Sequence, residues 1–157
     1  MSLQCIDAIE ISLSIEREGL AFYEKAAKNI LDSKVKHIFL RLVEEEREHI
    51  QILKSKAIFL QPAVPTGKTK NRRHANLRIK KNIKEKLFPI FEPKAANKFK
   101  NDTEALDYGI EAEKRSIEVL ARLMENEKKL DVKAVFLHLM VEEKKHLTLL
   151  KDLKENF

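Results

Sequence analysis

The chain has 157 residues, a length that suits one domain, with 36% charged residues, 6% aromatics and a formal net charge of +6. Its one cysteine excludes a disulfide framework and any site that needs several thiolates. No apolar run approaches the roughly 18–20 residues that span a bilayer, and the opening MSLQCIDAIE lacks a basic stretch followed by an apolar one, so a cytoplasmic protein with no membrane association is expected.

Three Gly, four Pro and an abundance of Lys, Glu and Leu are the usage of long helices. All four prolines (Pro62, Pro65, Pro89 and Pro93) fall in one stretch, which separates a pair of proline-free blocks. The spacing predicts helices over about 3–31 and 33–58, separated by the polar break Leu31-Asp32-Ser33. A connection over about 60–101 follows, with room for a short helix near Lys80–Leu87. Two further helices are predicted over about 102–127 and 131–155, separated by Lys129-Leu130-Asp131. Asn101 followed by Glu104 resembles a helix N-cap with its capping-box partner. The expected architecture is one all-α domain, 1–157: a four-helix bundle of two hairpins, with a crossover long enough to set the third helix parallel to the second.

The charge is concentrated. From Lys68 to Lys86 there are nine basic residues and one acid, Glu85, while the rest of the chain carries 22 basic and 24 acidic residues. A solvated connecting loop is the plainer reading of such a run. The sharper one is a patch for RNA, DNA or an acidic partner. No aromatics interleave within it, which disfavours a platform for stacked bases.

The two blocks repeat at an offset of 97 residues. Phe39-Leu40 matches Phe136-Leu137, Glu45-Glu46 matches Glu142-Glu143, His49 matches His146, and Glu16 matches Glu113. A pseudo-twofold bundle follows, with equivalent residues meeting at the axis. Residues spaced alternately three and four apart trace the inward seam of each helix. The seams read Ile9, Leu13, Glu16, Leu20, Tyr23 in the first helix and Phe39, Leu42, Glu46, His49, Leu53 in the second. They read Leu106, Ile110, Glu113, Ile117, Leu120 in the third and Phe136, Leu139, Glu143, His146, Leu150 in the fourth. Each is apolar except near its middle.

A lone buried carboxylate costs several kcal/mol unless it is paired or neutralised. Four at one level repel one another, two histidines cannot offset them, and no Lys or Arg lies on the seams. Divalent cations can. One Glu-x-x-His on a charged helix is usually a solvated face. Two copies at one offset, each on an apolar stripe and each accompanied by a seam Glu, match the dinuclear carboxylate pattern of four-helix bundles. Glu16, Glu46, His49, Glu113, Glu143 and His146 are therefore the candidate metal ligands. Carboxylate and imidazole donors suit iron or manganese. Tyr23, two turns after Glu16 on the same seam, is either a donor or radical site beside the metals or a core tyrosine with a satisfied hydroxyl.

Glu16-Arg17-Glu18-Gly19 through Phe22-Tyr23, Glu46-Arg47-Glu48-His49, Glu113 to Glu118, and Glu143-Lys144-Lys145-His146 together resemble the ferritin-like superfamily, and within it the rubrerythrin-like diiron proteins. The likeness covers both hairpins, about two-thirds of the chain. It implies a non-haem centre of two iron ions per chain, reducing hydrogen peroxide or activating dioxygen in oxidative-stress defence, in a homodimer. By the same resemblance Glu46 and Glu143 bridge, Glu16 and Glu113 are terminal, and His49 and His146 each bind one iron. Two departures stand out. Rubrerythrins usually carry a four-cysteine rubredoxin module, whereas this chain has only Cys5, so a separate electron-donor protein is implied. They also have an additional ligand-capable Glu one turn after the third-helix ligand, where this chain has Ser116.

Other activities fit the same ligands: a ferroxidase feeding an iron cage, an oxygen-dependent hydroxylase whose basic crossover holds an anionic substrate such as tRNA, or a bundle that binds metal without turnover. Gly19 is a position for close helix approach beside the site, Cys5 an ordinary thiol, and His37, His74 and His138 fall off the seams as surface residues.

Overall fold

The computed structural model describes residues 3–60 and 90–157. Among these residues the secondary structure is wholly helical: α1 (Cys5–Asn29), α2 (Ser33–Leu60), a short 3-10 turn (Pro93–Asn97), α3 (Asp102–Glu125) and α4 (Leu130–Glu155). The basic run Lys68–Lys86 and the short helix expected near Lys80–Leu87 lie outside the described residues. No helix among the described residues is long and apolar enough to cross a membrane.

The helices pair as α1 with α2 and α3 with α4, and α4 also packs against α1 and α2. This is the expected four-helix bundle of two hairpins. Local chemistry sets the helix ends. α1 stops at Asn29 because Ile30 turns extended. The next two amides, of Leu31 and Asp32, then donate to the Asp102 carboxylate at 3.1 and 2.8 Å. Asp32 in turn accepts from the Lys34 and Val35 amides and caps α2. One aspartate at the start of α3 thus grips the α1–α2 turn, which puts α3 parallel to α2. Asn101 caps α3 by accepting from the Glu104 amide at 2.9 Å. The reciprocal half of the capping box is displaced by one residue, since the Glu104 carboxylate takes the Lys100 amide and not that of Asn101.

The buried apolar residues form a large cluster that contains Phe22 and a smaller one of Ile9, Leu13, Ile50, Leu53 and Ala57. The Phe22 ring is fully buried and lies 5.2 Å from Tyr23, 5.5 Å from Phe91 and 4.8 Å from Tyr108, between centroids. Phe91 and its neighbour Ile90 come from the end of the crossover, and both are buried. Two polar ties hold this segment down. The Glu92 amide donates to the Tyr108 hydroxyl at 2.7 Å, and the Arg115 guanidinium donates to the Ile90 carbonyl at 2.7 Å. The crossover therefore ends as a roof over α1 and α3, beside the polar middle of the bundle.

Phe22→Ala removes the ring that joins crossover to bundle. It is expected to lower stability by about 3–5 kcal/mol, as for other large-to-small core changes. Urea denaturation followed by circular dichroism measures it, and a loss below about 1 kcal/mol would mean that the roof does not depend on this ring.

Candidate metal centre

Glu16 on α1, Glu46 and His49 on α2, Glu113 on α3, and Glu143 and His146 on α4 meet at one level of the bundle. Helical spacing explains the convergence. Each residue occupies an inward seam position, and Glu-x-x-His brings two donors to one face of α2 and of α4. Burial is nearly complete: the four glutamates and His146 are at most 1% exposed. His49 is the most accessible of the six, with its side chain 17% exposed.

The donor atoms fall into two groups that share Glu46: Glu16, Glu46 and His49 in one, and Glu46, Glu113 and His146 in the other. Within each group one donor atom per residue lies within 4.8 Å of the others. His49 Nδ1 is 3.0 Å from Glu16 Oε2. His146 Nδ1 is 3.2 Å from Glu46 Oε1, 3.5 Å from Glu113 Oε1 and 3.9 Å from Glu143 Oε1. The two imidazoles stack 5.9 Å apart. Five of the six residues present a buried atom with no hydrogen-bond partner: Glu16 Oε1, Glu46 Oε2, Glu113 Oε2, Glu143 Oε1 and His146 Nδ1. Unpaired polar atoms at this density are costly in a protein core. Hard oxygen donors converging with imidazole nitrogens, five of the six residues with an unsatisfied atom, are a donor set for divalent iron or manganese.

In the metal-free protein, protons offset the crowding. Burial, then the Glu46 charge, pushes Glu16 up to about 8, against the opposing bond from His49. Burial, then the charges of Glu113 and Glu16, raises Glu143 well above the usual carboxylate range. Burial would raise Glu113 too, but His146, Glu143 and the Tyr23 hydroxyl together hold it below its ordinary value. Burial would lower His146, but the carboxylates of Glu113, Glu45 and Glu46 raise it well above an ordinary imidazole. The raised values of Glu16, Glu143 and His146 favour protons on these three, and the lowered value of Glu113 favours its charge. Cations that enter must displace these protons.

Tyr23 has the burial and the satisfied hydroxyl of a core tyrosine. It is a fully buried core residue, and its hydroxyl donates to Glu113 Oε1 at 2.6 Å. Burial and the Glu113 charge push its own pKa well above the phenol value, so it remains a donor. Gly19 does not mark a close helix approach. A Cβ there would sit 3.5 Å from Glu46 Oε1 and 3.7 Å from Phe91 Cε2, both ordinary contacts. Ser116 is fully buried with an unpartnered hydroxyl, while Glu111 and Glu118 face outward. His37 and His138 are exposed, and His74 lies outside the described residues.

Sequence reasoning assigned no role to Glu45 and Glu142, yet both reach the site. Glu45 Oε2 is 3.1 Å from His146 Nε2, and Glu142 Oε2 is 3.4 Å from His49 Nε2. Their equivalence under the 97-residue offset was the available signal. An open groove of about 790 Å³ between α2 and α4 reaches Glu45, His49 and Glu142, and Arg41, Lys144 and Lys145 line its rim. His49, the one partly exposed ligand candidate, lines it.

The family model described as Rubrerythrin matches residues 7–154. No curated protein and no solved structure matches the chain.

Two outcomes are expected of the metal-free protein. Glu16 has a folded-state pKa raised to about 8, so its protonated form contributes stability in full below the unfolded-state carboxyl pKa. That contribution is lost as pH rises toward and through about 8. Urea midpoints measured from pH 5 to pH 9 should therefore fall with rising pH, and Glu16→Gln should flatten the slope; an unchanged slope would place the raised pKa elsewhere. Tyr23→Phe leaves Glu113 without its O–H donor and should destabilise the metal-free fold by about 1–3 kcal/mol. Addition of divalent metal should narrow that difference, as differential urea denaturation with and without metal would record.

Proposed function

The chain belongs to the rubrerythrin family, and from that premise we propose that it is a non-haem diiron oxidoreductase acting on hydrogen peroxide or dioxygen. The observation that carries the reading is the set of five buried, unpartnered donor atoms converging from all four helices. Glu16, Glu46 and His49 would hold one ion, and Glu46, Glu113 and His146 the other, with Glu46 common to both groups. Glu143, whose Oε1 lies 3.9 Å from His146 Nδ1, would be a further carboxylate ligand. Two divalent ions against four carboxylates leave the buried centre close to neutral, which is the electrostatic reason for two.

When bound, the iron pair supplies the redox change and Lewis acidity that the side chains lack. The chain's own residues do the remainder. Glu16, Glu143 and His146 release their protons as the ions enter. The Tyr23 hydroxyl fixes the orientation of Glu113 by its hydrogen bond to Glu113 Oε1. Phe22, Phe39 and Phe91 pack around Tyr23 and keep water from that side. Small oxidants reach the centre from the α2–α4 groove, where His49 is partly exposed. The single cysteine cannot build a four-cysteine iron site, so the electron donor lies outside this sequence. Ser116 is short and neutral, so the centre works with four carboxylates and does not exchange a fifth.

Anaerobic ferrous titration with elemental analysis tests the reading. Two irons per chain are expected, followed by reductant-dependent consumption of peroxide or dioxygen. No uptake after anaerobic loading overturns it. Glu46→Ala and Glu143→Ala should stay folded, because each removes a polar group that is costly to bury, and each should empty at least one position. Full occupancy in either variant would refute that residue's ligand role.

A further inference from the structure

Each candidate histidine ligand turns Nδ1 into the carboxylate cluster and Nε2 out of it, toward a glutamate of the opposite hairpin. His146 of the second hairpin meets Glu45 of the first at 3.1 Å. His49 of the first meets Glu142 of the second at 3.4 Å. Glu45 and Glu142 occupy the same place in the repeat, each one residue before a central Glu. Each is also held on its other oxygen by a cation of its own helix. Arg41 Nε lies 3.1 Å from Glu45 Oε1, and Lys145 Nζ lies 3.2 Å from Glu142 Oε1. Each chain of contacts therefore runs from a surface cation through an outer carboxylate and an imidazole to the donor atom facing the centre.

An exposed ion pair contributes little, but these pairs are not of that kind. His146 is 1% exposed, and Glu45 is the hydrogen-bond partner of its outer nitrogen. A histidine that ligates through Nδ1 must carry its proton on Nε2. A carboxylate at Nε2 fixes that tautomer, orients the ring and makes Nδ1 a stronger donor.

We propose that Glu45 and Glu142 are positioning residues for the metal centre, each setting the histidine of the other hairpin, so that neither metal position is complete within one hairpin. The assignment rests on the diiron reading above. It carries a direction that a general structural role would not: Glu45 governs the Glu46/Glu113/His146 position, and Glu142 governs the Glu16/Glu46/His49 position.

Anaerobic Co2+ titration of the full-length chain, followed optically and by elemental analysis, tests this. Wild type should bind two ions. Glu45→Ala and Glu142→Ala should each weaken one of the two by about 10–100-fold and leave the other within twofold. Glu45→Gln and Glu142→Gln, whose amide oxygen still accepts the Nε2 proton, should recover most of that loss. In the Glu45→Ala background, His146→Ala should add little further loss, whereas His49→Ala should weaken the remaining ion. The pattern should reverse in the Glu142→Ala background. Wild-type affinity in both Ala variants, equal weakening of both ions, or coupling to the histidine of the same hairpin would each overturn the inference. Should the Ala variants not fold, the Gln variants decide it: two tight ions support it, and one or none overturns it. A wild-type chain that binds no Co2+ overturns the diiron reading itself, and this inference with it.

Discussion

Four glutamates share one buried level of a helical bundle, and most of the molecule's polar organisation follows from keeping them there. Like charges at that spacing cannot all be ionised in a core without compensation. The metal-free chain compensates with protons on Glu16 and Glu143, an imidazolium at His146 and the Tyr23 hydroxyl on Glu113. Each of these is a placeholder with the charge or the hydrogen bond that a cation would otherwise provide. The surrounding aromatic packing cannot relax toward water without exposing Phe22 and Tyr23, so the apolar shell and the polar centre constrain each other.

The pseudo-twofold arrangement explains why the donor atoms converge in two groups. A single hairpin presents two carboxylates and one histidine, and neither group of converging donor atoms stays strictly apart from the other. Glu46 from the first hairpin joins Glu113 and His146 from the second. The outer contacts cross in the same way, from Glu45 to His146 and from Glu142 to His49. Repetition has thus produced two half-sites that interlock. The symmetry is broken at His49 and at Tyr23. His49 is partly open to the α2–α4 groove while His146 is closed, and Tyr23 stands by Glu113 while its repeat equivalent, Leu120, has no hydroxyl to offer.

Membership of the rubrerythrin family accounts for the fold and the donor set. The distinctive features of this chain lie beyond it. Ser116 leaves a buried hydroxyl one turn past Glu113, and the end of the crossover, through Ile90 and Phe91, forms a roof pinned by Arg115 and Tyr108. These features shape the volume and polarity around the buried carboxylates.

Much was legible in the sequence because helices encode their inward face in a short repeat. The 3-4 spacing of Leu13, Glu16, Leu20 and Tyr23, and of Leu139, Glu143, His146 and Leu150, placed polar residues on apolar seams, and the 97-residue offset placed two such sets in register. The prolines and polar breaks gave four helices in two pairs, and the periodicity with the offset placed Glu16, Glu46, His49, Glu113, Glu143 and His146 on their inward faces. Periodicity says nothing of which ring nitrogen faces inward, since both Nδ1 and Nε2 sit on the same side chain. Nor does it identify Glu45 and Glu142, which lie one residue off the seam and reach the imidazoles only because α2 and α4 run side by side. Proton placement and the Phe91 roof were equally out of reach. Both depend on distances between residues far apart in the chain, and only the packed bundle sets those distances.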